Sequence, residues 1–593
     1  MRKIISVVMA IFIAVTTMSV VGCTEKQKRD LSKTQLDISY FAGGFGESWI
    51  YKAKKEFEAL YKDYQFEEGK TGVQIWIDSN KTMTADIEAN LRAGTNLKTL
   101  YLTSGGNVQS LISKGLIEDL TDVYNSYAVE EKDNTIVKET GKTIASKVQG
   151  LNNMLAAYGN GVDKYYAMPY TQAVIGLVFD YDLFVAREWL TFADETDIPA
   201  LTAQGFEVEE STNSYDTEVL RLKSYNGTED FITYKEGEII LKAGKDKMFG
   251  TYDDGQPQDI DEWDAMISYI CSSEGSKPFI YAYSQPDYVD GIAEGIFAQY
   301  DGIKNYEITY DYNGTYVSPS TGDETAITIN NGYETFRFEG RKVALEFMDK
   351  YFDNDTYVHP SSDKLSRTAI DIQKEYVLGY KGIAGNPLSG MIVEGIWWEN
   401  EAKSIMNAIK KEGRGYGMRD YRYMLYPSFE GQKGIDGKGN GSVLSSFEDG
   451  EIFIRKTAKK SEKDAAKEFL RFITSDDWLS RFTEMTGGVR PYNYTLSSEQ
   501  YAGLTDFQRC VWNIYQDSKN YAVVNPKLML MTQKINYAST ITVNRWQSKV
   551  GSFTYANTIT GLLTKNVTAE KYYEGLSSVY TSSVWKNLVD TVM

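Results

Sequence analysis

The chain has 593 residues, too many for a single hydrophobic core, so at least two domains are expected. Hydrophobic residues make up 42% and aromatics 13%, which is enough apolar surface to fold and excludes a disordered chain. Its 63 Lys and Arg against 82 Asp and Glu give a formal charge of −19, which repels a phosphate backbone and excludes nucleic acid as a partner.

The one histidine, His359, narrows the chemistry further. A His-rich metal site is excluded, and any Ser-His or Cys-His nucleophile has to run through that residue. It lies in Tyr357-Val358-His359-Pro360, a loop-like setting where an ordinary packed histidine is the simpler reading. Carboxylate-only chemistry such as glycoside hydrolysis survives this test. Three cysteines, Cys23, Cys271 and Cys510, are too few for a disulfide scaffold, although Cys271 and Cys510 leave one bridge open.

The amino terminus reads as an address. Met1-Arg2-Lys3 is followed by an apolar run from Ile4 to Val15 and then by Ser19-Val20-Val21-Gly22-Cys23. A basic start, an apolar run of about a dozen residues and a small-residue cleavage site make a secretory signal, too short for a good membrane span. Val20-Val21-Gly22-Cys23 also resembles a bacterial lipobox, so residues 1–22 are expected to be removed and Cys23 lipidated. From there to Gln35 the chain is charged and has no apolar period, as in a solvated tether. No later segment approaches eighteen uninterrupted apolar residues, so the remainder is expected to be soluble and held outside the cell by its anchor.

Leu36, Ile38 and Tyr40 alternate with polar residues and predict a half-buried strand. After Gly43-Gly44-Phe45-Gly46, the spacing of Trp49, Ala53, Phe57 and Leu60 or Tyr61 predicts a helix. These glycines lack the G-x-G-x-x-G spacing, so a dinucleotide site is set aside. Further strands are expected at Val73–Ile77 and Leu97–Leu102, with a helix over Thr84–Leu91 between them. Alternating strands and helices indicate an α/β layer with a largely parallel sheet. An apolar strand follows at Val174–Phe179. From about Ala200 to Gln258 the composition turns polar, with a hairpin expected from Phe231–Tyr234, Glu236-Gly237 and Ile239–Leu241. Helices are expected from about Asp259, at Tyr288–Gln299, at Glu334–Phe352 and at Glu462–Phe472, the last after a strand at Ile452–Ile454.

Five stretches together resemble the extracellular solute-binding lipoproteins of bacterial ABC importers, in the carbohydrate branch that includes maltodextrin-binding protein. They are the lipobox and the strand, glycine loop and helix from Leu36 to Tyr61. Next come Tyr165-Tyr166-Ala167-Met168-Pro169-Tyr170-Thr171-Gln172 with Gly176-Leu177-Val178-Phe179, and Gly390-Met391-Ile392-Val393-Glu394-Gly395-Ile396-Trp397-Trp398-Glu399. The fifth joins Ile452-Phe453-Ile454, the helix from Ser461 to Leu470, and Gly487-Gly488-Val489-Arg490-Pro491. The chain exceeds a typical member in the 185–260 region and in its last hundred residues. The resemblance implies an α/β, two-lobe fold of the periplasmic-binding-protein type, with a ligand cleft between discontinuous lobes. It places residues 36–170 plus 441–486 in lobe I and 171–440 plus 487–593 in lobe II. A monomer is implied, with no cofactor and no catalysis, binding a sugar by lobe closure and delivering it to the importer's membrane subunits.

Sugar hydroxyls pair with carboxylates, amides and Arg, and sugar faces stack on aromatic rings. The candidates are therefore Phe45 and Trp49 at the first loop, Tyr170 and Gln172 at the first crossing, and Tyr283 with Gln285 between helices. Trp397, Trp398 and Glu399 follow, then Arg490 near a third crossing. Competing readings are core packing for Trp49 and a loop-pinning ion pair for Arg490. Doubling of the aromatic leaves either Trp397 or Trp398 to face the ligand. Asp246, Asp253 and Asp254 lie in a Gly-rich stretch whose oxygens suit Ca²⁺, although a turn with solvated aspartates fits as well. A secreted carboxylate-based glycoside hydrolase and a surface glycan-binding lipoprotein without a transporter remain as alternatives.

Overall fold

The computed structural model describes residues 28–593 apart from 80–83, 105–106, 150–156, 161–162, 228–233, 274, 363–365, 380–386, 447–449, 527–528, 540–542 and 565–566. The signal segment and Cys23 lie outside the described residues. Eleven main-sheet strands are numbered here in chain order, and the peripheral hairpins carry no label.

The first sheet takes β1 (Thr34–Tyr40), β2 (Val73–Asp78), β3 (Leu100–Ser104), β4 (Ala167–Thr171) and β10 (Gly450–Ile454), in the order β2-β1-β3-β10-β4. In the second are β5 (Val174–Asp180), β6 (Ser276–Ile280), β7 (Leu388–Gly395), β8 (Tyr421–Met424), β9 (Ser442–Ser446) and β11 (Tyr521–Val524). The order there is β6-β7-β5-β9-β11, with β8 also pairing β5.

The largely parallel sheet expected from the strand–helix alternation is instead mixed, for a topological reason. β1 is parallel to β2 and β3, whereas β10 is antiparallel to β3 and β4. In the second sheet β5 is antiparallel to β7, β8 and β9. The reversed strands, β5 and β10, are the two that the chain enters straight from the other sheet. A strand entered from the gap between sheets has to run opposite to strands that end at that gap. The carboxyl ends of all other main-sheet strands therefore face the same gap, where α/β sheets place their ligands.

Helices cover the sheets because each has one apolar face. Ser48–Leu60 buries Trp49, Ile50, Ala53 and Phe57, and Lys460–Ile473 buries Ala465, Ala466, Phe469, Leu470, Phe472 and Ile473. The helix expected from Asp259 runs Ile260–Ser272, with the Asp259 carboxylate accepting the Glu262 N–H as its amino-terminal cap. No helix among the described residues is long and apolar enough to cross a membrane.

Several sequence expectations need correction. The tether ends earlier than Gln35, since β1 starts at Thr34 and Arg29 already pairs with Asp37 at 2.8 Å. A regular hairpin in the polar region pairs Phe206–Thr212 with Glu218–Tyr225, and the first arm of the one expected at Phe231–Tyr234 falls largely outside the described residues. Phe231–Thr233 lie outside the described residues, and Ile239 and Leu241 bridge Arg221 and Phe192. That region has its own small apolar cluster, including Leu201, Phe206, Leu222 and Phe249, which a polar composition concealed. The helix expected from Glu334 begins at Glu339, after a 3-10 stretch over Ile329–Arg337. Ser442–Ser446 stands in the second sheet, although the boundary expected at 441 assigned it to the first lobe. Past residue 487 the chain still adheres to the first sheet's surroundings, through Gln149 N–H to the Pro491 carbonyl (2.9 Å) and Gln500 to Ser480 (3.1 Å). The helix Asp506–Gln516 then packs on β8, with Phe507 against Tyr423 at 5.3 Å. Cys271 and Cys510 are free thiols, so the open bridge is not formed.

Candidate functional site

The loops at the strand ends of the two sheets meet at one contact. The turn Gly43–Phe45 follows β1, and Trp397 follows β7. Gly44 lies so close to Trp397 that an added Cβ would come within 2.3 Å of the Trp397 Cβ. Trp397 is buried there and meets Tyr288 edge-on, with ring centres 5.7 Å apart and planes at 68°. Its neighbour Ile396 donates its N–H to the Val174 carbonyl at the first crossing (3.1 Å), so Trp397 is fixed relative to the hinge. Tyr283 and Gln285, both half-buried, lie between β6 and the helix Pro286–Asp301 that carries Tyr288. A second contact joins the sheets elsewhere, where Asn107 Nδ2 donates to the Gln533 carbonyl (3.0 Å) and Lys114 lies 5.0 Å from the Tyr537 ring.

The adjacent Trp398 has a different setting. It is fully buried among Tyr376, Tyr421 and Phe507, the nearest ring centre 5.0 Å away. Of the doubled aromatic, Trp397 is the ring at the junction and Trp398 the ring in the core. Glu399 is buried as well, accepting the Thr505 hydroxyl (2.6 Å), and burial pushes its carboxyl up to about 7.

Phe45, Trp49 and Tyr170 form one packed cluster with Tyr40 and Phe482. The Trp49 indole N–H donates to the Tyr40 hydroxyl (2.7 Å), and its ring lies over Tyr170 at 5.9 Å. The Tyr170 hydroxyl donates to that of Tyr40 (3.2 Å), and burial raises the Tyr170 phenol to about 12. Phe45 meets Phe482 at 5.9 Å. These rings stand behind the loop at the junction, in the core of the first lobe.

Arg490 is fully buried and forms no ion pair among the described residues. Its Nε donates to the Tyr170 carbonyl (3.0 Å) and Nη1 to the Ile473 carbonyl (2.6 Å). Burial lowers its pKa. The loop-pinning role therefore runs through carbonyls rather than a carboxylate. Arg490→Met, which leaves both carbonyls without a donor, is expected to cost about 2 kcal/mol of stability. Urea unfolding of the ligand-free protein measures that loss, and an unchanged midpoint would count against the pin.

The three aspartates take their bonds from protein. Asp253, fully buried, accepts the Tyr521 hydroxyl (2.7 Å), and Asp254 accepts the Tyr234 hydroxyl (2.8 Å) and the Gly250 N–H (2.6 Å). Asp246 accepts the Met248 N–H (2.8 Å). No group of three or more His, Cys, Asp or Glu among the described residues is placed to hold a metal ion.

Three residues before Trp397, Glu394 is buried on β7. It accepts the Gln373 amide (3.1 Å), which donates equally to Glu401 (3.0 Å). Burial, with the Glu401 charge adding to it, pushes the Glu394 carboxyl up to about 8. The folded protein thus holds this proton more tightly than the unfolded chain. The group's stabilising contribution is complete below the ordinary carboxylate pKa and is lost as pH rises through about 8. Glu394→Gln is expected to raise the melting temperature at about pH 9 and leave it nearly unchanged at about pH 4. Equal shifts at both pH values would contradict an ionisable origin.

Beside the first crossing lies a cavity of about 350 Å³, lined by residues that include Gln149, Gln172, Glu307, Tyr310 and Tyr515. Of the residues singled out from sequence, Gln172 is the one that lines it. Tyr515 and Tyr288 were missed. Tyr288 stood at the start of an expected helix and so was within reach, whereas Tyr515 meets the Gln172 carbonyl across 343 positions without any local signal.

No family model and no curated sequence relative matches this chain. Solved structures do. A chitin oligosaccharide binding protein aligns with TM-score 0.53 and 12% identity, over 94% of this chain and all of that one. A protein from work on xylan utilisation by the thermophile Caldanaerobius polysaccharolyticus gives TM-score 0.53 and 12% identity, over 92% and 100%. The solute receptor AcbH, titled as having an exclusive preference for b-D-galactopyranose, gives 0.50 and 11%, over 95% and 100%. The chain has the two-lobe solute-binding-protein fold. Within that fold, the strand ends around Trp397 are one place where the loops of the two sheets meet.

Proposed function

We propose that this protein is the substrate-binding component of an ABC importer and takes up a sugar or oligosaccharide between its lobes. Residues 34–171 with 450–503 make one lobe, and 174–446 with 505–593 the other. The observation that carries the reading is the junction itself: Trp397, with Tyr288 against its ring, lies on one lobe and meets the backbone of Gly44 on the other. Aromatic rings suit the C–H faces of a sugar, and half-buried Tyr283 and Gln285 lie on the loop beside them. A ligand touching both lobes favours closure by as much as it contacts the closed state better, and the closed form docks on the membrane subunits. Cys23 carries the lipid that holds the processed protein at the outer face of the membrane, where it acts as a monomer. Binding and release need neither nucleophile nor cofactor.

A thermal-stability screen against neutral mono- and oligosaccharides tests this. A ligand at about 100 times its dissociation constant stabilises the native state by about 2.7 kcal/mol, several degrees in melting temperature for a chain of this size. A selective rise with the sugar recovered intact supports the reading. Consumption of the sugar transfers it to a hydrolase, and no shift with any sugar overturns the carbohydrate assignment.

A further inference from the structure

We propose that the helix Leu530–Ala538 is a clasp, rooted in the second lobe and gripping the first beside the carboxyl end of β3, which holds the lobes together through protein contacts alone. The inference needs the two-lobe fold and not the identity of the ligand, so it stands or falls separately from the sugar-binding reading.

The root is buried. A helix of nine residues is too short to persist alone in water, so its place is set by what it packs on. The hydroxyls of Thr532 and Tyr312, both buried, are hydrogen-bonded at 2.5 Å, and the Tyr312 ring meets Trp585 edge-on at 4.9 Å. Ile535 is fully buried, and the Asn536 side chain accepts the Val543 N–H (2.7 Å). Just before the helix, Met529 is buried with its sulfur against Arg545, which also pairs with Glu294. The helix therefore moves with the second lobe.

The grip is lighter. Asn107 caps the helix Val108–Ser113 that follows β3, its side-chain oxygen accepting the Ser110 N–H (3.0 Å). Its Nδ2 donates across the gap to the Gln533 carbonyl (3.0 Å), and a carbonyl with two lone pairs accepts this bond while remaining helical. One turn on, exposed Tyr537 presents its ring to Lys114, 5.0 Å away. Lys114 is positioned by its own lobe, through Glu88 and the Ser110 hydroxyl (2.9 Å), and keeps both partners when the ring leaves. Release thus strands no buried charge, whereas pulling out the root would.

The grip also lies where it bears on closure. β3 is the neighbour of β1 in the first sheet, and the turn after β1 is the one that meets Trp397. One closed arrangement satisfies both contacts. Lobes already held together leave a ligand less closure to drive, and make its entry and exit wait on the clasp.

The test is small-angle scattering without any ligand, in the otherwise unaltered protein and in Trp397→Gly, where the other contact is gone. Asn107→Asp keeps the helix cap but removes the donor, and Tyr537→Ala removes the ring. Together they are expected to raise the ratio of open to closed protein about tenfold, seen as a larger radius of gyration, most clearly in Trp397→Gly. Tyr537→Phe, which keeps the ring, should leave the radius unchanged. Urea midpoints within experimental error of the parent show that the variants are folded, since both side chains lie outside the core. Equal radii with and without the clasp substitutions in both backgrounds overturn the proposal, whatever the protein binds.

Discussion

Replacing Arg545 by Met is expected to destabilise the protein by about 3–5 kcal/mol, the cost of leaving a buried charge without its partner. The charge left behind is Glu294, nearly inaccessible in the middle of the helix Pro286–Asp301. One of its oxygens receives Arg545 and the Tyr306 hydroxyl (2.6 Å), and the other receives the Trp546 indole N–H (2.9 Å). Burial alone would push this carboxyl up. The charges of Arg545 and Arg341 more than offset that and hold it below its ordinary value. Arg341 closes the network by donating to the Arg545 carbonyl (3.0 Å) and the Thr335 carbonyl (3.0 Å).

The sign of the pH dependence follows. A carboxyl depressed in the folded state contributes stability above its unfolded pKa and loses it as pH falls through the folded value. Wild-type stability from this group should therefore drop below about pH 4, and the drop should vanish in Glu294→Leu paired with Arg545→Met. That double variant should also recover much of the loss at neutral pH, because an apolar pair of similar volume has no charge to desolvate. Urea midpoints at pH 7 measure the series, and a loss under about 1 kcal/mol for Arg545→Met would contradict the account. The network matters for function because the helix that carries Glu294 also carries Tyr288 in its first turn. The carboxyl-terminal hundred residues thus fix the element that presents an aromatic ring to the lobe junction.

The local signals in the sequence describe the fold better than they describe the site. Alternation at Leu36, Ile38 and Tyr40 and the three-four spacing of Trp49, Ala53 and Phe57 each report which face is buried, and burial is what sets strand and helix. Direction within a sheet is not a local property, so the reversal of β5 and β10 was not legible. The glycine loop after β1 and the Gly-Ile-Trp-Trp run were legible as strand-end loops. Which ring of the pair points where depends on Gly44, Tyr376, Tyr421 and Phe507, all distant in sequence. A polar composition likewise concealed the small core around Phe206, since its eight buried apolar residues are scattered between Ala193 and Phe249. The charged Arg490 read as a sugar ligand, with an ion pair as the competing reading, and its carbonyl partners, being main chain, leave no trace in a sequence.

Gly44→Val is expected to hold the lobes apart. At residue 44 a Cβ would stand 2.3 Å from the Trp397 Cβ and 2.7 Å from its Cγ, distances that no packed side chains adopt. The backbone of β1 and the Ile396–Val174 hydrogen bond leave neither partner room to withdraw locally. The strain is relieved by opening the gap, so small-angle scattering of the ligand-free variant should give a larger radius of gyration than wild type. Sugar affinity should fall in proportion to the closed fraction that is lost. Trp397→Gly, which removes the Cβ together with the ring, relieves the clash and should restore the wild-type radius in the Gly44→Val background. It should not restore binding, because the ring is what the sugar stacks on, and its loss is expected to cost at least about 2 kcal/mol, or roughly thirtyfold in dissociation constant. Closure and affinity therefore separate in the double variant. Wild-type affinity in Trp397→Ala would remove this ring from the site, and an unchanged radius in Gly44→Val would show that the junction yields without moving the lobes.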